Sequence, residues 1–134
     1  MQRLRLGWRL ARLWPHRFGE LRPHNCLDFV GFTYDVAART ASLRWIANEY
    51  ATTGQPRSLL VEMRGVSHLS ATPRNPEMPL SEDSCLSVVG GVEASEPTAA
   101  RINSDVPAGW HFVFTFMSGF VPRIGAESVC LLPQ

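Results

Sequence analysis

The chain has 134 residues, 45% of them hydrophobic and 19% charged, with a formal net charge of +1. That length suits one domain with a self-sufficient core, and the composition excludes a disordered chain. No apolar run approaches the ~20 residues of a membrane-spanning helix.

Residues 1–22 form a basic head. Arg3, Arg5, Arg9, Arg12, Arg17 and Arg22 stand there against Glu20, a net +5, whereas residues 23–134 carry seven arginines against eleven carboxylates, a net −4. An acidic body argues against a nucleic-acid binder, because that affinity comes mainly from neutralising phosphates. The chain contains no lysine. Within the head, Arg5, Arg9 and Arg12 share one helical face and Leu6, Leu10, Leu13 and Trp14 gather on the other. This predicts a short amphipathic helix ended by Pro15, with Gly7 weakening it. Arginines interrupt the apolar centre that a secretory signal needs. A helix over Met1–Trp14 packs on the domain or lies on an anionic membrane surface.

Residues 23–134 read as one β-rich domain. Leu27 to Tyr34 is rich in aromatic and β-forming residues, and Thr40 to Ala47 alternates Ala41, Leu43, Trp45 and Ala47 with polar neighbours. A short link joins them as a hairpin. After a loop over Asn48–Pro56, Leu59 to Arg64 supplies a third strand. Gly65 then fits a β-bulge, after which Val66 and Leu69 resume the inward face.

Prolines at 73, 76 and 79 make the next connection stiff. It carries Arg74, Asn75, Glu77, Glu82 and Asp83 with little apolar cover. Ser81 suits a helix N-cap, with Glu82 and Asp83 in a single turn over 81–86. Leu86 to Val92 is a fourth strand ending at Gly90-Gly91. Glu93 to Gly109 is polar and irregular.

Trp110 to Met117 carries the strongest strand signal. Trp110, Phe112, Phe114 and Phe116 make a core stripe facing Leu27, Phe29, Leu43 and Trp45. Ser118-Gly119 is a hairpin turn, and Phe120 to Ala126 returns antiparallel, with Pro122 favouring a sheet edge. Ser128 to Leu132 is a final short strand. Some six or seven short strands without long helices predict an antiparallel sandwich or open barrel.

Chemistry-bearing motifs are sparse. Cys26, Cys85 and Cys130 are widely spaced, with no zinc-ligand spacing, and read as reduced thiols of a cytosolic protein. Gly-x-Ser-x-Gly and a phosphate-binding glycine loop are absent. Neither a metal nor a cofactor is expected, and no residue is assigned a catalytic role. An enzyme site would have to assemble His24, His68, His111 and Asp28 in space; His16 lies in the basic head. The residues best placed for function are Arg74, Glu77, Glu82 and Asp83, on a loop whose stiffness lowers the ordering cost of binding.

The order Leu27-Asp28-Phe29-Val30-Gly31-Phe32, Leu43-Arg44-Trp45, Val61-Glu62-Met63-Arg64-Gly65-Val66, Phe116-Met117-Ser118-Gly119 and Ala126-Glu127-Ser128 resembles small uncharacterised bacterial β-rich proteins. Some of these are similar to immunity proteins of polymorphic toxin systems. The likeness spans most of residues 24–131 through strand patterns and transfers no site residue. It implies a cytosolic, non-enzymatic domain that acts by binding. Together with the acidic body, it points to a partner with a basic surface, and it leaves the oligomeric state open.

Overall fold

A computed structural model describes residues 4–6, 26–93 and 110–134. The strands are β1 (Leu4–Leu6), β2 (Leu27–Asp35), β3 (Thr40–Ala47), β4 (Ser58–Arg64), β5 (His68–Thr72), β6 (Leu86–Glu93), β7 (Trp110–Phe116), β8 (Val121–Ala126) and β9 (Ser128–Pro133), with a 3-10 turn over Leu80–Ser84. They form a five-stranded sheet in the order β1-β9-β4-β3-β2 and a four-stranded sheet in the order β5-β8-β7-β6. Every described pairing is antiparallel. The expected sandwich is the architecture found.

The inner faces meet through large side chains. Leu43, Trp45, Leu59, Val61 and Met63 from the first sheet pack with Phe112, Phe114, Phe116, Ile124 and Ala126 from the second. Trp45 lies 6.3 Å from Phe114 and 6.4 Å from Phe116 between ring centroids. Phe112, Phe114 and Phe116 thus form the predicted core stripe; the side chain of its fourth member, Trp110, lies outside the described set.

A bulge explains how β2 reaches this core. Strict alternation would bury either Leu27 and Phe29 or Phe32 and Tyr34, never both pairs. The register with β3 slips between Phe29 and Gly31. Leu27, Phe29, Phe32 and Tyr34 therefore all join the core or pack against it, and Val30 is turned out, 50% exposed. The bulge expected at Gly65 is absent. Gly65 instead has φ +66° and turns the chain from one sheet into the other. A β-carbon there would collide with the Glu127 side chain, and Glu127 is the single residue between β8 and β9, where the chain crosses back.

Three further expectations are corrected. Leu69 is 36% exposed, because β5 is an edge strand. Pro122 lies in an inner strand, between β5 and β7. It is tolerated because the ladder to β7 stops at Val113↔Arg123, one residue before the proline would have to donate. β6 continues through Gly90 and Gly91 to Glu93, opposite Val113, Phe112 and Trp110.

At the N-terminus, Leu4–Leu6 is a strand paired with Leu131, Cys130 and Val129, where the spacing predicts helix. The rest of the basic head with His16, the following residues up to 25 with His24, and most of the polar stretch over 93–109 lie outside the described residues. No helix among the described residues is long and apolar enough to cross a membrane.

The order β5-β8-β7-β6 is a Greek key: three hairpin-linked strands, with the preceding strand laid beside the last. The connection from β5 to β6 must therefore pass from one edge of that sheet to the other. That connection is the proline-rich loop, so its position across the end of the sandwich follows from topology.

Candidate functional site

The loop is fixed at several points as it crosses. Asn75 N–H donates to the Ser118 carbonyl at 2.8 Å, and Met117 N–H donates to the Cys85 carbonyl at 2.8 Å. Both carbonyl and donor on the far side belong to the β7–β8 turn, where Gly119 has φ +86°. A β-carbon on Gly119 would sit 3.3 Å from the Asn75 backbone nitrogen, so glycine permits both the turn and the approach of the loop. Within the loop, the Asn75 carboxamide oxygen accepts from Glu77 N–H at 3.0 Å.

Arg74 holds the second half of the connection. Its Nε donates to Asp83 Oδ1 at 2.8 Å, and its Nη2 donates to the carbonyls of Met78 at 2.9 Å and Pro79 at 3.4 Å. The side chains of Arg74 and Asp83 remain 30% and 44% exposed, so the pair organises the loop more than it stabilises the fold. The helical turn begins at Leu80, with Pro79 before it and no side-chain cap. The N-cap expected of Ser81 is therefore corrected: Ser81 lies inside the turn, and its carbonyl accepts from Ser84 Oγ at 3.2 Å. Glu82 and Asp83 occupy the first turn, as read from sequence.

Between this loop and β2 lies a cleft of about 430 Å³ lined by Phe29, Val30, Pro73, Arg74, Asp83, Ser118 and Phe120. Its floor is aromatic. Phe29 and Phe120 are 6.3 Å apart between ring centroids, and buried Phe116 supports them at 4.4 Å and 5.7 Å. Its volume falls in the range of ligand pockets, whose usual make-up is an apolar body with a few placed polar groups. Arg74 and Asp83, two of the four residues singled out from sequence, line it. Glu77 and Glu82 belong to the same loop but are not among its lining residues.

Sequence reasoning missed Phe29, Val30 and Phe120 as cleft residues. Phe29 read as ordinary core, and Val30 becomes available only because the bulge turns it outward. An apolar pair ahead of Gly31 was the one local sign of that bulge.

The histidines come together only in part. His68 on β5 and His111 on β7 both pair with Gly125 of β8, one from each side, and their rings are 6.3 Å apart between centroids. A β-carbon on Gly125 would lie 3.1 Å from His111 Cε1 and 3.1 Å from His68 Cβ. Asp28 is on the other sheet and accepts from Asn48 Nδ2 at 3.1 Å. Alternation puts Asp28 on the outer face of that sheet and both histidines on the outer face of theirs, so the four-residue constellation does not form. Among the described residues no group of three His, Cys, Asp or Glu side chains could hold a metal ion.

Cys26, Cys85 and Cys130 are all free thiols. On the outer face of β4, Arg64 donates through Nε to Glu62, two residues back on the same strand face; that hydrogen bond and charge raise the guanidinium's pKa above its ordinary value. No protein-family model, curated protein or solved structure matches this chain.

Proposed function

We propose that this chain is a non-catalytic protein-binding domain of the cytosol, immunity-like in acting by occupying a partner. It takes an apolar side chain from a basic partner surface into the cleft between β2 and the proline-rich loop. The observation that carries this reading is the juxtaposition of an aromatic-floored cleft with a pinned acidic loop. An apolar anchor ringed by polar contacts is the usual anatomy of a strong interface, and a loop held before binding has little ordering left to lose. The acidic body speeds encounter with a basic surface.

The roles divide by position. Glu77 and Glu82 make the charged contacts. Asp83, engaged by Arg74, shapes the cleft wall, and Arg74 orients the loop. Phe29, Val30 and Phe120 receive the anchor.

The test is capture from the source lysate by the intact chain, by Glu77→Ala/Glu82→Ala and by Val30→Asp. Each substituted side chain is at least partly exposed, so the variants should fold, which thermal unfolding checks. Both variants should lose the captured protein. A partner retained by both at undiminished yield would remove the cleft and loop from the function.

A further inference from the structure

β2 is the last strand of its sheet and pairs with β3 alone. Among the described residues, no main-chain group from Gly31 to Tyr34 hydrogen-bonds to anything other than β3. Such a row of donors and acceptors is a template for another strand unless proline, lysine or a bulge guards it. β2 has neither proline nor lysine. Its bulge lies between Phe29 and Gly31, so Gly31 to Asp35 form an unbroken edge centred on Thr33. A second copy laid antiparallel about Thr33 opposes Thr33 with itself, Phe32 with Tyr34 and Gly31 with Asp35. Each residue then meets one on its own face of the sheet. This register pairs whichever alternate set of amides and carbonyls points outward, because it maps each set onto itself.

We propose that two copies of this chain pair antiparallel through β2 about Thr33, joining their first sheets into one, with Arg44 of each copy bound to Asp35 of the other. This goes beyond the binding reading above and does not depend on it. The side chains along the edge select this occupant. Arg44 is the neighbour of Gly31 on β3. It is exposed and in no ion pair among the described residues. Gly31 leaves the space beside it open: nothing lies within 4 Å of where its β-carbon would be, and a hollow of about 350 Å³ opens there between Gly31, Thr33 and Arg44. In the paired register, Asp35 of the second copy stands opposite Gly31. Two strand spacings, about 10 Å, then separate its backbone from that of Arg44, a gap that the two side chains together span across the bare glycine. Asp35 is exposed; its Oδ1 accepts from Ala38 N–H at 3.0 Å, and Oδ2 faces the guanidinium. Within one chain Asp35 is paired with Thr40, at the far end of β3 from Arg44, so this ion pair exists only between copies, and symmetry forms it twice. On the inner face, Phe32 and Tyr34, both packed against the core, meet as two aromatic pairs. Thr33 meets Thr33 at the axis. Opposite charges, aromatic pairs and facing threonines are the cross-strand contacts that stabilise a sheet. Just beyond the ladder, Val30 of one copy comes beside Val36 of the other, 50% and 76% exposed in the single chain. Moving the axis to Phe32 or Gly31 brings the bulge into the ladder and takes Asp35 away from Arg44.

Sedimentation equilibrium of the full chain over a wide concentration range reads the association, with amide hydrogen exchange alongside. A monomer–dimer equilibrium is expected, and exchange within Gly31–Asp35 should slow as the dimer fills. Thr33→Lys, at an exposed position, sets like charges face to face at the axis and should weaken the dimer by about tenfold or more. Arg44→Glu and Asp35→Arg should each weaken it as well. The double variant Arg44→Glu/Asp35→Arg reverses the ion pair and should dimerise more tightly than either single one. Thermal unfolding checks that each variant is folded. Association at any other sheet edge would be untouched by Thr33→Lys, which separates the two causes. A monomer at every concentration, a dimer indifferent to Thr33→Lys, or a double variant no tighter than the singles would each overturn pairing through β2. The binding reading fails separately, if the lysate partner stays on both Glu77→Ala/Glu82→Ala and Val30→Asp.

Discussion

Phe116 does two jobs at once. It is 2% exposed, sits 4.4 Å from Phe29 and 5.7 Å from Phe120 between ring centroids, and so closes the core while propping the cleft floor. Phe116→Ala should cost ~3–5 kcal/mol, the usual range for an aromatic removed from a packed interior. Urea unfolding measures it, and an unchanged midpoint would contradict the core assignment. The same variant should lose partner affinity even where it remains folded, since both floor rings lose their support. Burial at Phe112, Phe114, Phe116, Leu43 and Trp45 was legible from period-two spacing alone. What spacing could not show was that Phe29 and Phe120 meet across the end of the sandwich, because that contact is set by how two sheets stack and not by either strand.

At the scale of elements, the proline-rich connection was legible as stiff but not as a Greek-key crossing. Its path depends on β5 lying beside β8, a pairing that joins His68–Thr72 to the distant Val121–Gly125. Pro122 shows the same limit: proline disfavours an inner strand locally, yet the ladder to β7 simply stops beside it. The rigidity of the connection can be tested through Arg74. Arg74→Ala removes the bond to Asp83 and the bonds to the Met78 and Pro79 carbonyls. Because the pair is part-exposed, global stability should fall by no more than about 1 kcal/mol. Amide exchange should accelerate at Met78 and Glu82, which are bonded within the loop, and stay slow at Asn75, which is bonded to Ser118. Uniformly unchanged exchange would mean that the prolines and the main-chain bonds to the β7–β8 turn hold the loop without Arg74.

For the molecule as a whole, the head and the body are not separable pieces. Charge asymmetry divides the sequence near residue 22, yet Leu4–Leu6 completes the first sheet by pairing with β9. β9 carries Val129, Cys130, Leu131 and Leu132, all buried, and β1 is what keeps it from being an edge. Removing residues 1–22 should therefore do more than delete positive charge. The loss of a three-residue pairing should lower stability by roughly 1–3 kcal/mol, given about 0.5–1.5 kcal/mol net per hydrogen bond. It should also bare a hydrophobic edge prone to pairing with other chains. Denaturation and sedimentation of the truncated chain would show a lower midpoint and concentration-dependent association; a monomer of undiminished stability would mean that β1 contributes nothing to the sheet. This outcome also decides how membrane attachment through Met1–Trp14 is to be examined. If truncation perturbs the sheet, lost vesicle binding in the truncated chain says nothing about a surface contact. Replacing Arg9 and Arg12 with Gln instead keeps β1 in place, and salt-sensitive binding to anionic vesicles that falls in that variant would attribute attachment to charge.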